Sequence, residues 1–466
     1  RLEGLDILVQ LNGPETTPLV LKALKDDCGQ YRYGALRAAE AYACGCTYAA
    51  VAEKLAKADD AAEVDILNWL GANHAASQVE AVCAELNDSN IDVVCAAIEA
   101  ASRIGGDAAL EAILAKVEAA DVATEEGQTV TAAAVPALLA FNGKVNDGIV
   151  KALAGSQASK GVAYAVLAKR RIPEAAEAVI ADAKGGNATA QKVLANVATE
   201  KNFDALCEIY EAGKGSAVAI NKAIQDKSAA EQVAAVQARM AKAGDKKHIY
   251  YPVLAATGAN EAVAPIMEGY KAGNVENMAF QSMMSMNNDA LIRPLMDVAK
   301  SDAQRKDQAL SRYIQLTTNS KKLTPEQKYM NFRNALETKP SVKVQNSALK
   351  ALSATQTYPA MMLASTYMDN AETAQAAANT VLEIATKHPE FYSAEVKALL
   401  EKVSTTLNDG DAVYKRKDIE KFISENKARE SHSIIMELSE EEKKEGFEML
   451  FDGQNMDKWE GNLTAY

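Results

Sequence analysis

Apolar residues along the first 430 or so positions recur three and four places apart. Val79, Val82, Cys83 and Leu86 stand at i, i+3, i+4 and i+7, and so do Val94, Ala97, Ile98 and Ala101. Leu110, Ile113, Leu114 and Val117 repeat the pattern. At helical periodicity this spacing puts one apolar stripe on each segment and leaves the other faces polar. The segments are separated by turn signals: Asn12-Gly13, Gly45, Ala72-Asn73, Gly105-Gly106, Asn142-Gly143, Arg171-Ile172-Pro173 and Lys201-Asn202. Asp226, Gly258, Asn287-Asn288, Thr318-Asn319, Thr357 and Pro389 continue the series. A period of roughly 30 residues marks a stacked array of supersecondary units.

Each unit reads as two antiparallel helices of about 10–13 residues joined by short turns. Between Ile91 and Asp121 the order is helix, Gly105-Gly106, Asp107 as N-cap, helix, with the Asp107 carboxylate accepting from an exposed helix N–H. Thr324-Pro325-Glu326-Gln327 has the form of a capping box with proline at the first helical position. Pro265 and Pro294 fall near helix starts, where a missing N–H costs little, whereas Pro136 and Pro252 fall inside first helices and predict kinks. A lone hairpin of this kind cannot bury its stripe, so neighbours must stack. The expectation is an all-α, right-handed α-solenoid of about twelve helical hairpins over residues 1–427, followed by a short β-prone tail.

Composition sharpens this picture. Of the 466 residues 48% are hydrophobic but only 6% aromatic, so the apolar mass is Ala, Leu, Val and Ile. Small side chains permit close helix contacts, and alanine is the best helix former. A formal net charge of −13 with no basic block argues against a nucleic-acid partner. No uncharged apolar run reaches the roughly 18 residues of a membrane span. The chain opens at Arg1, which leaves a removed leader and a trimmed start as alternatives.

Two stretches, 93–117 (VVCAAIEAASRIGGDAALEAILAKV) and 282–300 (SMMSMNNDALIRPLMDVAK), resemble HEAT and armadillo-like repeats. The Asp and Arg typical of HEAT turns are mostly missing elsewhere. That resemblance implies a scaffold or interaction surface.

Residues 411–427 (DAVYKRKDIEKFISENK) look like a last helix. Residues 428–445 then read as a polar linker with a short capped helix from Ser439. The texture changes at 446–461 (GFEMLFDGQNMDKWEG), where Leu450 and Phe451 before Asp452-Gly453 suggest a strand and turn. Gly446, Phe447, Leu450, Phe451, Asp452, Gly453, Trp459 and Gly461 resemble the opening of the 3-keto-disaccharide hydrolase domain family. The resemblance spans 441–461 and implies a concanavalin-like β-sandwich lying almost wholly beyond Tyr466. By that resemblance the helical region is the arm of a larger bacterial, exported enzyme of the periplasm or cell surface. Its partner is then its own C-terminal catalytic domain.

The chemistry so implied is cleavage of 3-keto glycosides. A C3 ketone acidifies the C2 proton, and the anomeric group leaves by elimination with help from a base and a divalent metal or another enolate stabiliser. Trp459 either stacks on a sugar or packs in the sandwich core, and Asp452 either shapes its turn or binds a metal. One or two strands without their sheet are unstable alone, so residues 446–466 are expected to dock on the last helices, pair with a second copy, or be poorly ordered.

The helical region itself shows no catalytic set, cofactor motif or metal-ligand spacing. His74, His248, His388 and His432 are far apart and read as surface or turn residues. The six cysteines read as buried free thiols, with a Cys83–Cys95 disulfide as the alternative. Met278, Met283, Met284, Met286, Met361, Met362 and Met368 either line an adaptable groove or fill the core. Tyr31, Tyr33, Tyr42 and Tyr48 form either a sugar- or peptide-binding surface or an end-cap. Three readings result: the arm of a carbohydrate-active enzyme, an independent interaction scaffold, or a concave face that binds another protein, a peptide or a sugar directly.

Overall fold

A computed structural model describes residues 1–273, 277–427 and 443–448. The reading of residues 428–442 and 449–466 (the linker, the Ser439 helix, His432, the tail strand, Asp452 and Trp459) lies outside the described residues. Among the described residues the chain is all-α: helices follow one another with short 3₁₀ turns between them and no strand. They form two compact units, Arg1–Thr257 and a second from Gly258 onward.

In the first unit, alternate helices stack in sequence to make one layer. Leu2–Asn12 packs on Gly29–Ala39, that on Asp60–Ala72, and so on through Ile91–Ile104, Glu125–Leu139, Gln157–Leu167, Ala188–Val197 and Ala217–Ile224. The intervening helices, among them Val79–Ala84, Asp107–Glu118 and Asn146–Ala152, form a second layer. The second unit repeats the scheme, with Lys306–Asn319, Val342–Leu352 and Ala374–Lys387 in one layer and Pro325–Glu337 and Tyr358–Ser365 in the other.

The helix Ile91–Ile104 shows why the stripe drives this arrangement. Asn90 caps its start by accepting from the Asp92 N–H at 2.8 Å, and Val94, Ala97, Ile98 and Ala101 are buried. Small residues let the layer close up: a Cβ added at Gly71 would lie 2.7 Å from the Ala100 Cα of this helix. Hydrogen bonds between successive repeats then fix the stacking at helix C-termini. The His74 ring meets the Arg103 carbonyl at 2.6 Å, and the Asn142 amide donates to the Arg103 and Ile104 carbonyls at 3.3 and 3.2 Å. Asn196 donates to the Leu167 carbonyl at 2.7 Å, and in the second unit Thr380 donates to the Leu349 carbonyl at 2.8 Å. These bonds satisfy carbonyls that a helix end leaves without intrahelical partners.

Most of the boundary chemistry expected from the sequence is present. Thr324 and Gln327 form the capping box of Pro325–Glu337, Pro136 lies inside Glu125–Leu139, and the last long helix is Ala412–Asn426. Pro265 and Pro294 are the third residues of Val263–Lys271 and Ile292–Ser301. Two assignments are corrected. Asp107 is the first helical residue rather than the N-cap, because Gly106, at φ 88°, takes the non-helical cap position after Gly105 at φ 79°. Pro252 stands at the start of Tyr251–Ala256, where a 3₁₀ segment, Gly244–Tyr250, has already ended the preceding helix.

The cysteines also differ from both expectations. Cys44 and Cys46 are disulfide-bonded, while Cys83 and Cys95 are free and half-buried. Extended backbone at Cys44 (φ −141°, ψ 174°) precedes the first turn of Gly45–Ala52, and the Cα atoms of the pair lie 5.4 Å apart. Cys95 faces outward from the first layer, whereas Cys83 sits on a second-layer helix. Cys207 alone among the free cysteines is fully buried, and Cys28 is exposed.

Candidate functional site

An open groove of about 960 Å³ runs across the first layer of the first unit. Three successive helices line it with residues at helical spacing. Asp60–Ala72 contributes Ala61, Asp65 and Asn68, Ile91–Ile104 contributes Asp92, Ala96 and Glu99, and Glu125–Leu139 contributes Ala133 and Ala137. The same alanine richness that lets helices pack closely therefore leaves the groove a shallow, small-residue floor.

Charge in the groove is unbalanced: four carboxylates (Asp60, Asp65, Asp92, Glu99) face two guanidiniums (Arg32, Arg103). Both arginines are already engaged. Arg32, only 5% exposed, donates from Nε to Asp65 at 2.8 Å and from Nη1 to the Asp26 carbonyl at 2.9 Å. Arg103 pairs with Glu99 one turn back on its own helix. Asp60 accepts from the Asn90 amide at 2.5 Å. Asp92 has no side-chain partner among the described residues, which leaves the groove with a net acidic face.

On the other side of Asp60–Ala72 the structure brings together Glu63, Glu85 and Asp88, one carboxylate oxygen of each within 4.8 Å of the others. Burial of Glu63, together with the charges of Asp88, Glu85, Asp60 and Asp59, pushes its carboxyl up to about 7. The sequence reading named no metal ligands and missed this set, because its members are 22 and 25 positions apart. The available signal was Glu63 itself, an acidic residue in the apolar stripe of Ala62, Ile66, Leu67 and Leu70.

Other sequence candidates resolve toward packing. Met283, Met286, Met361 and Met368 are buried in the second unit's core, with Met278, Met284 and Met362 half-buried beside them. Tyr48 packs on Trp69 with ring centroids 5.5 Å apart, Arg1 lies over the Tyr31 ring, the Thr16 and Thr17 hydroxyls reach Tyr42, and Tyr33 is exposed. His74, His248 and His388 bond the Arg103 carbonyl, the Asp245 carbonyl and Glu390 respectively, each near a helix end. No metal-ligating group includes them among the described residues.

A further polar cluster closes the first unit. Arg239 makes two hydrogen bonds to Glu211, Nε to Oε1 at 2.7 Å and Nη2 to Oε2 at 2.8 Å, and the Tyr250 hydroxyl donates to Glu211 Oε1 at 2.7 Å. The Arg239 and Tyr250 hydrogen bonds hold the Glu211 carboxyl below the ordinary glutamate range, against the opposing effect of burial. Burial pushes the neighbouring Cys207 thiol up to about 11. Every member has a partner inside the cluster, so this is a structural lock between helices Phe203–Glu211 and Ala229–Ala243 rather than a reactive centre.

No family model matches the chain, and no curated protein matches it. Among solved structures it is similar to a circular tandem repeat protein with novel repeat topology and enhanced subunit contact surfaces. That likeness is at 10% identity, covers 92% of this chain and 98% of the other, and has a TM-score of 0.15. A likeness that slight leaves the fold to be read from the helices themselves. They give a helical-repeat protein, and among the described residues no helix is long and apolar enough to cross a membrane.

Proposed function

We propose that the chain is a helical-repeat binding scaffold whose first unit takes up a basic, extended segment of a partner protein. The observation that carries this reading is the groove, where four carboxylates face two guanidiniums that are already paired. A Lys- or Arg-bearing strand of peptide offers charge to Asp92 and its neighbours, while the alanine floor lets a backbone approach closely. Nucleic acid is disfavoured on the same charge grounds.

The test is fluorescence anisotropy with extended peptides of matched length carrying positive, zero or negative net charge. Cationic peptides bind most tightly and weaken as salt rises. Ala61→Trp, at an exposed helical position on the groove wall, fills the groove and reduces binding at least tenfold, while Asp92→Asn reduces it more at low salt than at high. Equal binding of all three peptides, or full binding by Ala61→Trp, refutes the proposal.

The sequence motif at Gly446–Gly461 supports a second, compatible reading, in which this scaffold is the arm of a longer, exported protein acting on 3-keto glycosides. In that reading its partner is its own C-terminal domain, which holds the base and any divalent metal. The longest natural form and residues 1–466 are each incubated with a 3-keto glucoside. Aglycone release by the longer form alone supports this reading, and release by neither removes it.

A further inference from the structure

Glu63 is anomalous for a carboxylate. It is only 8% exposed, and it sits in the apolar stripe of helix Asp60–Ala72. Among the described residues no hydrogen bond or ion pair reaches its carboxylate. Buried acids normally find a donor or a cation, because a desolvated charge without one is costly. Elsewhere in this unit that rule holds: Glu211 has Arg239 and Tyr250, and the buried Arg32 has Asp65.

Glu63 instead faces two more acids. Glu85 opens the 3₁₀ turn Glu85–Asn87 and Asp88 ends it, so the turn places both carboxylates toward the helix. The Glu85 carboxylate likewise has no hydrogen-bond or ion-pair partner among the described residues. Asp88 accepts from the Asn90 N–H at 2.6 Å, which orients its carboxylate and leaves further lone pairs open. Asp59 and Asp60 add negative charge nearby, and both are occupied: Asp59 caps the helix through the Ala62 N–H, and Asp60 accepts from Asn90. Three convergent carboxylates thus have one backbone donor among them.

We propose that Glu63, Glu85 and Asp88 bind a hard divalent cation, Ca²⁺, with solvent water completing its coordination. The donors are all oxygen, with no imidazole or thiolate, which selects a hard ion over zinc or copper. Ca²⁺ takes about six to eight oxygen ligands at about 2.3–2.6 Å in flexible geometry, which suits three carboxylates brought together from a helix and a turn. Mg²⁺ demands a near-octahedral set at about 2.0–2.1 Å and gives up its waters reluctantly, so it suits such a set less well. The bound ion ties helix Asp60–Ala72 to the turn after Val79–Ala84. It therefore stiffens the repeat whose opposite face lines the groove, but the site stands on residues that the peptide-binding proposal does not use.

The experiment takes residues 1–466, freed of metal with a chelator, and titrates Ca²⁺ by calorimetry at constant ionic strength. Thermal unfolding is recorded at each point, with Mg²⁺ and extra Na⁺ as separate arms. One Ca²⁺ binds per chain, the first unit's melting temperature rises with Ca²⁺, and Mg²⁺ binds at least tenfold more weakly. In Glu63→Gln and Asp88→Asn the saturable site is lost. Metal-free Glu63→Gln melts no lower than the metal-free parent, because a repelling charge is gone. Unchanged Ca²⁺ binding in both variants, no saturable binding in the parent, or tighter binding of Mg²⁺ than Ca²⁺ overturns the proposal. The last two results leave a shared proton and a smaller ion, respectively, as the occupant. Peptide binding by the metal-free protein is measured in parallel, so that failure of one proposal is distinguishable from failure of the other.

Discussion

Replacing Gly105 by alanine separates backbone strain from packing at a repeat junction, because Gly106 beside it supplies the control. Both glycines have positive φ, 79° and 88°, with ψ −167° and 163°, a region essentially confined to glycine that costs an alanine about 1–3 kcal/mol. At Gly106 an added Cβ meets nothing within 4 Å, so Gly106→Ala should cost that backbone strain and no more. At Gly105 the added Cβ falls well inside the van der Waals shell of the Asn142 carbonyl oxygen, with the Asn142 carbonyl carbon 2.9 Å away. Asn142 must retreat, and it holds three hydrogen bonds: its N–H to the Ser102 carbonyl at 2.9 Å and its side-chain amide to the Arg103 and Ile104 carbonyls. At about 1 kcal/mol each, their loss makes Gly105→Ala about 3 kcal/mol more costly than Gly106→Ala. Stacked repeats need not unfold in one step. The assay is therefore urea unfolding followed by Trp69 fluorescence in a Trp459→Phe background, since Trp69 is buried beside Tyr48 in this region. If the two alanine variants shift the transition equally, to within about 0.5 kcal/mol, the inter-repeat contact at Asn142 is not what the glycine accommodates.

Arg239→Met leaves Glu211 without its two charged hydrogen bonds, in a site where the two side chains are 13% and 18% exposed. A loss of about 2–3 kcal/mol is expected in urea unfolding, less than for a fully buried pair. Glu211 has its folded-state pKa depressed, so its contribution is present above the ordinary value of 4.5 and is lost as pH falls through the depressed value. Stability measured from pH 6 downward should fall more steeply in the parent than in Glu211→Gln, and parallel curves would refute the assignment. Thiol titration of the native, non-reduced chain should label exposed Cys28 first. Cys207, buried and with its thiol pushed up to about 11, should react only on unfolding; early reaction at Cys207 would contradict its placement. Thr324→Ala removes the hydroxyl that accepts from the Gln327 N–H and should cost about 1 kcal/mol, read as a lower melting temperature of the second unit.

Local signals in the sequence were enough for the helices. The i, i+3, i+4, i+7 stripes, the capping box at Thr324–Gln327, the prolines at Pro265 and Pro294 and the glycine pair at 105–106 all act within one or two turns, so their outcome is written where they stand. Repetition added the stacking, since a stripe that one hairpin cannot bury demands a neighbour. What lay beyond the sequence was every contact between repeats. Asp107 was displaced from the cap because Gly105 accommodates the backbone of Asn142, about one repeat away, and Gly106 after it takes the cap position. Cys83 and Cys95 stay free on helices of different layers, whereas the Cys44–Cys46 bond is local, joining residues two positions apart. The groove arises only when three exposed helix faces are set side by side, and its acidity depends on which arginines are already paired. Glu63, Glu85 and Asp88 meet for the same reason: one is placed by the rotation of a helix about its axis and two by a 3₁₀ turn. Helical period constrains a helix's own face, but the registry between faces is decided by side-chain packing that no single segment contains.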